Sequence, residues 1–245
     1  YEVLYLVDTI DEYMMQQLKK YGDYEFVSVT KEETKNNEEK NETDDILCNK
    51  MKEYLNKFIE KIRNREIDLY NEFGLQFELA LYLRSLNEFI DFKIELERPI
   101  NHFGIVKTSE IPKKEIDVCI YKNNVLKSAI EIKVSTNGQV PLQLFKFCED
   151  ICFLEQLMNS NFECAYSLVL VNSDNFYRAK TKKDGIYKYF RGENKTTLTG
   201  KIECPTGKEK GKLITIMNSY EIIWSELING FRFYLIEIKK PHIKI

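Results

Sequence analysis

Apolar residues along this chain recur in two rhythms, one of period two and one of period three to four. Ile116 to Tyr121 and Leu126 to Val134 are rich in β-branched and aromatic residues. Lys122-Asn123-Asn124 between them is turn chemistry, so the pair predicts a β-hairpin. In IDLYNEFGLQFELALYLRSL, residues 67 to 86, Leu75, Leu79, Leu83 and Leu86 line one face of a helix. A turn over Ser135 to Pro141 leads into LQLFKFCEDICFLEQLMNS, which has the period of an amphipathic helix, and CAYSLVLVN then reads as a buried strand. GKLITIMNSYEIIWSELINGFRFYLIEIKK predicts two or three more strands, with Tyr220, Ile222 and Trp224 alternating, as an extension of the sheet over the core. Near the start, YEVLYLVDTIDEYMMQQLKKYGDYEFVSVTKEE reads as strand, helix, strand, followed by KNNEEKNETDD, a charged linker of the kind that stays solvated.

These elements divide the chain into a small βαβ fragment at 1–30, a linker at 31–46 and a domain at 47–245. The last has a core at 64–175 and C-terminal strands in 176–245. The fold class is α/β (α+β), a mixed sheet flanked by helices. At 43% hydrophobic the chain can bury a sizeable core. It has no run of eighteen apolar residues and no signal-peptide pattern, so a soluble cytoplasmic protein with no membrane partner is expected. A start at Tyr1 rather than Met suggests an incomplete reading frame. Six cysteines without a CxxC pair, and only His102 and His242, argue for free buried thiols over a zinc site.

Chemistry concentrates on the hairpin. Asp117 lies on its first strand, and Glu131 and Lys133 share one face of the second, with Ile132 opposed. Charged groups entering so apolar a strand need a partner or a metal, and two carboxylates beside an ammonium suit Mg²⁺, with Mn²⁺ as substitute. Glu72 falls in line with the leucine stripe that should face the sheet and is the first choice for a third ligand. Glu78, off that stripe, and Gln76 stay as alternatives.

Net charge is −3, but it is unevenly spread. Residues 1–60 carry fifteen acidic and eight basic side chains, a net of −7, and the remainder carries 28 basic and 24 acidic, a net of +4. Residues 176–212 hold eleven Lys or Arg among Phe176, Tyr177, Tyr187, Tyr189 and Phe190. Phosphate contact through Arg178, Lys180, Lys182, Lys183, Lys188 and Arg191 is expected, with DNA as the expected partner; a solvated surface loop is the competing reading.

The hairpin motif resembles that of the PD-(D/E)XK nuclease superfamily, with Asp117, Glu131 and Lys133 in the motif positions and Ile116 where the family name has Pro. The resemblance implies a restriction-endonuclease-like mixed sheet between helices and metal-dependent phosphodiester hydrolysis. Asp117 and Glu131, with Glu72 or Glu78, would hold the metal, and Lys133 would orient water and stabilise developing charge. It also implies a substrate or water contact for Gln143, although Phe147 stands where exonuclease branches carry Tyr.

Residues 1–60 resemble instead the ninety-kilodalton heat-shock chaperone family near the end of its middle domain. Glu2 to Asp8, Ile10 to Tyr13, Gln16 to Lys19 and Val27 to Glu32 carry the likeness, which extends through Leu47 to Lys52; Thr9 replaces the usual Pro. That likeness implies a protein partner. Two functions follow: a Mg²⁺-dependent nuclease, or a non-catalytic interaction protein that joins a chaperone-derived segment to an inactive nuclease-like fold.

Overall fold

The computed structural model describes residues 37–245, apart from 108–110, 124, 137, 179–183, 193–194 and 241–245, and the side chains of 37–47 and 49. The strand, helix, strand expected over the first thirty residues lies outside these. The chain divides into two units, 1–40 and 41–245, and the second is described here.

Helix α1 (Asn37–Arg63) runs through the last residues of the expected linker. Its Met51, Tyr54, Leu55, Phe58, Ile59 and Ile62 are buried, a three-and-four spacing that puts them on one face. Helix α2 (Glu72–Arg84) starts later than the apolar period suggests. Asn71 caps it, its side chain accepting from the Gly74 N–H at 2.7 Å, which satisfies an N-terminal donor and sets the first turn.

Strand β1 (Lys93–Pro99) pairs antiparallel with β2 (Glu115–Lys122), which forms the expected hairpin with β3 (Val125–Ser135). Asn123 closes the turn at φ 49°, a left-handed conformation Asn tolerates. Helix α3 (Val140–Asn159), with Pro141 in its first turn, crosses over to β4 (Cys164–Val171), parallel to β3. A hairpin of β5 (Thr196–Glu203) and β6 (Leu213–Ile222) follows, then β7 (Ser225–Glu226) and β8 (Arg232–Ile238). Among the described residues these make a six-stranded mixed sheet, β1-β2-β3-β4-β8-β7, and a two-stranded sheet, β5-β6.

The C-terminal strands correct the expected sheet extension. Only β7 and β8 join the main sheet, and β6 pairs with β5 across α3. The buried Glu155 of α3 explains this seat. It accepts from the N–H groups of Met217 and Asn218 at 2.7 and 2.8 Å and from Tyr220 Oη at 2.9 Å, so the hairpin's polar backbone is satisfied on the helix. Trp224 packs beside Tyr234, with centroids 5.0 Å apart, and donates to the Phe190 carbonyl at 3.0 Å.

The sheet has a core on each face. Val118, Ile120, Ile130, Ile132 and Leu168 pack with α1 and α2. Cys119, Tyr121, Ala129 and Val169 pack with α3 and the β5-β6 hairpin. Strand alternation therefore sends Asp117, Glu131 and Lys133 to the α3 side, beside Cys119 and Ala129. Each fully buried Leu or Phe in these layers contributes roughly 1.5–3 kcal/mol. No helix of the described residues is long and apolar enough to cross a membrane.

Candidate functional site

Where the C-terminal half of β3 meets the start of β2, polar side chains converge in a core otherwise apolar. Asp117 and Glu131 are almost wholly buried, and Asp150 of α3 joins them. Into this group reaches Lys113, from the segment before β2. Its Nζ lies 3.3 Å from Asp117 Oδ1 and 3.2 Å from Asp150 Oδ1, and it donates to Glu131 Oε2. Lys133 Nζ lies 2.7 Å from Glu72 Oε1, 3.5 Å from Asp117 Oδ2 and 3.8 Å from Asp150 Oδ2. Glu72, the first residue of α2, also accepts from the Val134 N–H at 3.3 Å.

Backbone donors complete the set. The Ile132 N–H bonds Asp117 Oδ2 at 2.8 Å, and the Asp117 N–H bonds Glu131 Oε1 at 3.3 Å. All four oxygens of Asp117 and Glu131 thus accept from protein donors, and Lys113 stands as the cation between three carboxylates.

Four carboxylates and two ammoniums leave an excess of negative charge if every group ionises. Burial, with repulsion from Asp117, pushes Glu131 well above the usual carboxylate range. Burial raises Asp150 to about 6 despite the attraction of Lys133 and Lys113. Burial acts against both lysines, yet the surrounding carboxylates outweigh it and hold them charged, above their ordinary values. Desolvation and the charge of Asp117 raise Glu97 at the site's edge as well.

The expected residues are distributed unevenly. Asp117, Glu131, Lys133 and Glu72 come together. Gln143 instead accepts from Ser135 Oγ at 3.3 Å, and Glu78 makes no ion pair or hydrogen bond with the cluster among the described residues. Lys113 and Asp150 belong to the cluster and were not singled out from the sequence. Asp150 had a readable signal, since it follows Phe147 by three and precedes Leu154 by four on the buried stripe of α3.

Mg²⁺ prefers about six oxygens at roughly 2.0–2.1 Å and keeps several waters. In this structure the oxygens of Asp117 and Glu131 accept from Lys113 and the backbone, and those of Glu72 from Lys133 and the Val134 N–H. No three His, Cys, Asp or Glu side chains are arranged to hold a metal ion among the described residues.

In the basic stretch, Lys180, Lys182 and Lys183 lie outside the described residues. Arg178 and Lys188 are exposed, and Lys188 sits 4.8 Å from the Tyr189 ring centroid. Arg191 stacks over Tyr187 at 3.6 Å and donates to the Asn175 carbonyl at 3.0 Å. Phe176 and Phe190 are core residues, so their rings are not free platforms for bases.

Residues 1–69 match the Hsp90 protein family model. A human sequence named for heat shock protein HSP 90-beta-3 is 44% identical over 71 residues, covering 25% of this chain and 12% of that protein. Chaperone protein HtpG of Natranaerobius thermophilus is 28% identical over 132 residues, covering 48% of this chain and 21% of its own. HtpG of Clostridium botulinum is 32% identical over 120 residues, with coverage of 42% and 19%. This chain therefore spans about a fifth or less of the relatives it matches. No solved structure matches it. The heat-shock chaperone resemblance of the N-terminal part is supported. These matches correct the description of the chain as a nuclease: they are to Hsp90 and HtpG chaperones.

Proposed function

We propose that this chain is a non-catalytic interaction protein, in which a segment related to the Hsp90 chaperones is joined to an α/β domain that serves as a body rather than as an enzyme. The observation that carries this reading is the position of Lys113. An ammonium bonded to Asp117, Glu131 and Asp150 supplies the positive charge those carboxylates require, and all four oxygens of Asp117 and Glu131 accept from protein donors. Buried charges so paired are costly to break and serve to fix one arrangement of neighbouring elements, here β2, β3, α2 and α3. The chaperone names of the relatives support protein partners for residues 1–60.

Two assays on the full chain test the proposal. Supercoiled plasmid and single-stranded DNA are incubated with wild type, Asp117→Asn and Lys133→Ala in Mg²⁺ or Mn²⁺; intact DNA is expected in every lane. Cleavage by wild type that both substitutions abolish would overturn the reading and give the cluster a hydrolytic role. In parallel, light scattering follows a heat-denatured reporter enzyme with and without the chain. Delayed aggregation is expected, and an unchanged time course would remove the chaperone-like part of the proposal.

A further inference from the structure

Away from the carboxylate cluster, near the N-terminal end of β3, lies a second group that combines charge with nucleophiles. Lys127 is almost fully buried and meets Glu163 Oε1 at 2.6 Å. Its carbonyl is the shared acceptor for two thiols: Cys48 Sγ of α1 lies 3.7 Å from that oxygen and Cys164 Sγ of β4 lies 3.5 Å from it. Cys48 Sγ also lies 3.9 Å from Glu163 Oε2. Tyr166 Oη donates to the Cys48 carbonyl at 3.3 Å, fixing this turn of α1 on the sheet. None of the six cysteines is in a disulfide, and five are buried; Cys48 alone is partly open to solvent.

We propose that Cys48 and Cys164 form a reversible disulfide when the protein meets a peroxide. The more accessible Cys48 reacts first. Its sulfur attacks one peroxide oxygen, the O–O bond breaks, and the departing hydroxide takes the thiol proton and leaves as water. Cys164 sulfur then attacks the Cys48 sulfenic sulfur, the S–O bond breaks, and a second water leaves with the Cys164 proton. Two electrons pass from the thiol pair to one peroxide. Hydrogen bonding to Cys164, with burial, holds the Cys48 thiol above its ordinary range. Little thiolate is present at neutral pH, so the rate rises as the solution is made more alkaline. The bridge would tie α1, within the residues matched to Hsp90, to β4, which lies outside them.

The test uses the full reduced chain treated with equimolar hydrogen peroxide, blocked with an alkylating agent and digested without reductant. Mass spectrometry is expected to find the Cys48–Cys164 linked peptide and four alkylated cysteines of the original six, with all six restored by dithiothreitol. Cys148→Ala should keep the link, whereas Cys164→Ala should lose it and leave a Cys48 sulfenic acid that dimedone labels. Six alkylated thiols after peroxide would overturn the proposal, as would Cys48 linked to another cysteine. The wild-type linkage decides the matter even if a variant fails to fold.

Discussion

At its C-terminal end β3 delivers Glu131 and Lys133 into a group of four carboxylates and two ammoniums. Nearer its N-terminal end the same strand places Lys127 against the single carboxylate of Glu163. Both places bury a lysine, but the charge balance differs. The one-to-one pair draws on Glu163, about one-third exposed, so water shares its stabilisation. The larger cluster has an acidic surplus and no comparable exposure for Asp117, Glu131 or Asp150, and Glu131 and Asp150 answer by rising in pKa. A surplus of buried charge is thus relieved by protons, whereas a balanced pair is relieved by geometry and solvent.

The sharpest way to break this contrast is to remove one lysine from each place. Lys113→Met leaves three buried carboxylates without their shared cation and should cost about 3–5 kcal/mol in urea unfolding at neutral pH. Lys127→Met should cost about 1–3 kcal/mol, because Glu163 can turn to water. Equal losses would show that exposure does not distinguish the two places.

A pH series gives the next effect. Asp150 titrates near 6 in the folded protein, above its ordinary 3.8, so the folded state binds that proton more tightly. The stability it contributes is full below about pH 4 and is lost as pH rises through about 6. Asp150→Asn should flatten this fall, gaining about 1–3 kcal/mol on wild type between pH 4 and 7 in paired thermal melts. A difference that does not change with pH would contradict the acidic surplus. Smallest is Glu72→Gln. The Glu72–Lys133 pair is partly exposed, so its loss should cost less than about 1 kcal/mol and shrink further in high salt. A cost that salt leaves unchanged would place Glu72 with the buried carboxylates instead.

Much of the α3 side of this molecule was legible from alternation and periodicity. The β2-β3 hairpin, α3 and β4 fall close to the positions the sequence predicts, and Glu72 lies on the sheet-facing side of α2. Other features depended on long-range partners. Lys113 precedes β2 in a segment without regular structure, so no period marks it as buried. The pairing of β6 with β5 rests on Glu155, far away in the chain, and alternation in β6 cannot say which sheet it enters. Helix α1 is readable from Met51, Tyr54, Leu55, Phe58, Ile59 and Ile62, which carry its stripe, but its acidic first turns have the composition of a linker.

The place of β8 beside β4 has a consequence for synthesis on the ribosome. Strand β4 is buried along its whole length, yet its second edge is covered only by residues 232–238. While the chain between Val171 and Arg232 is being made, an apolar strand presents unpaired N–H and C=O groups to its surroundings. Nascent chains halted in that interval should therefore be the most prone to pair with one another.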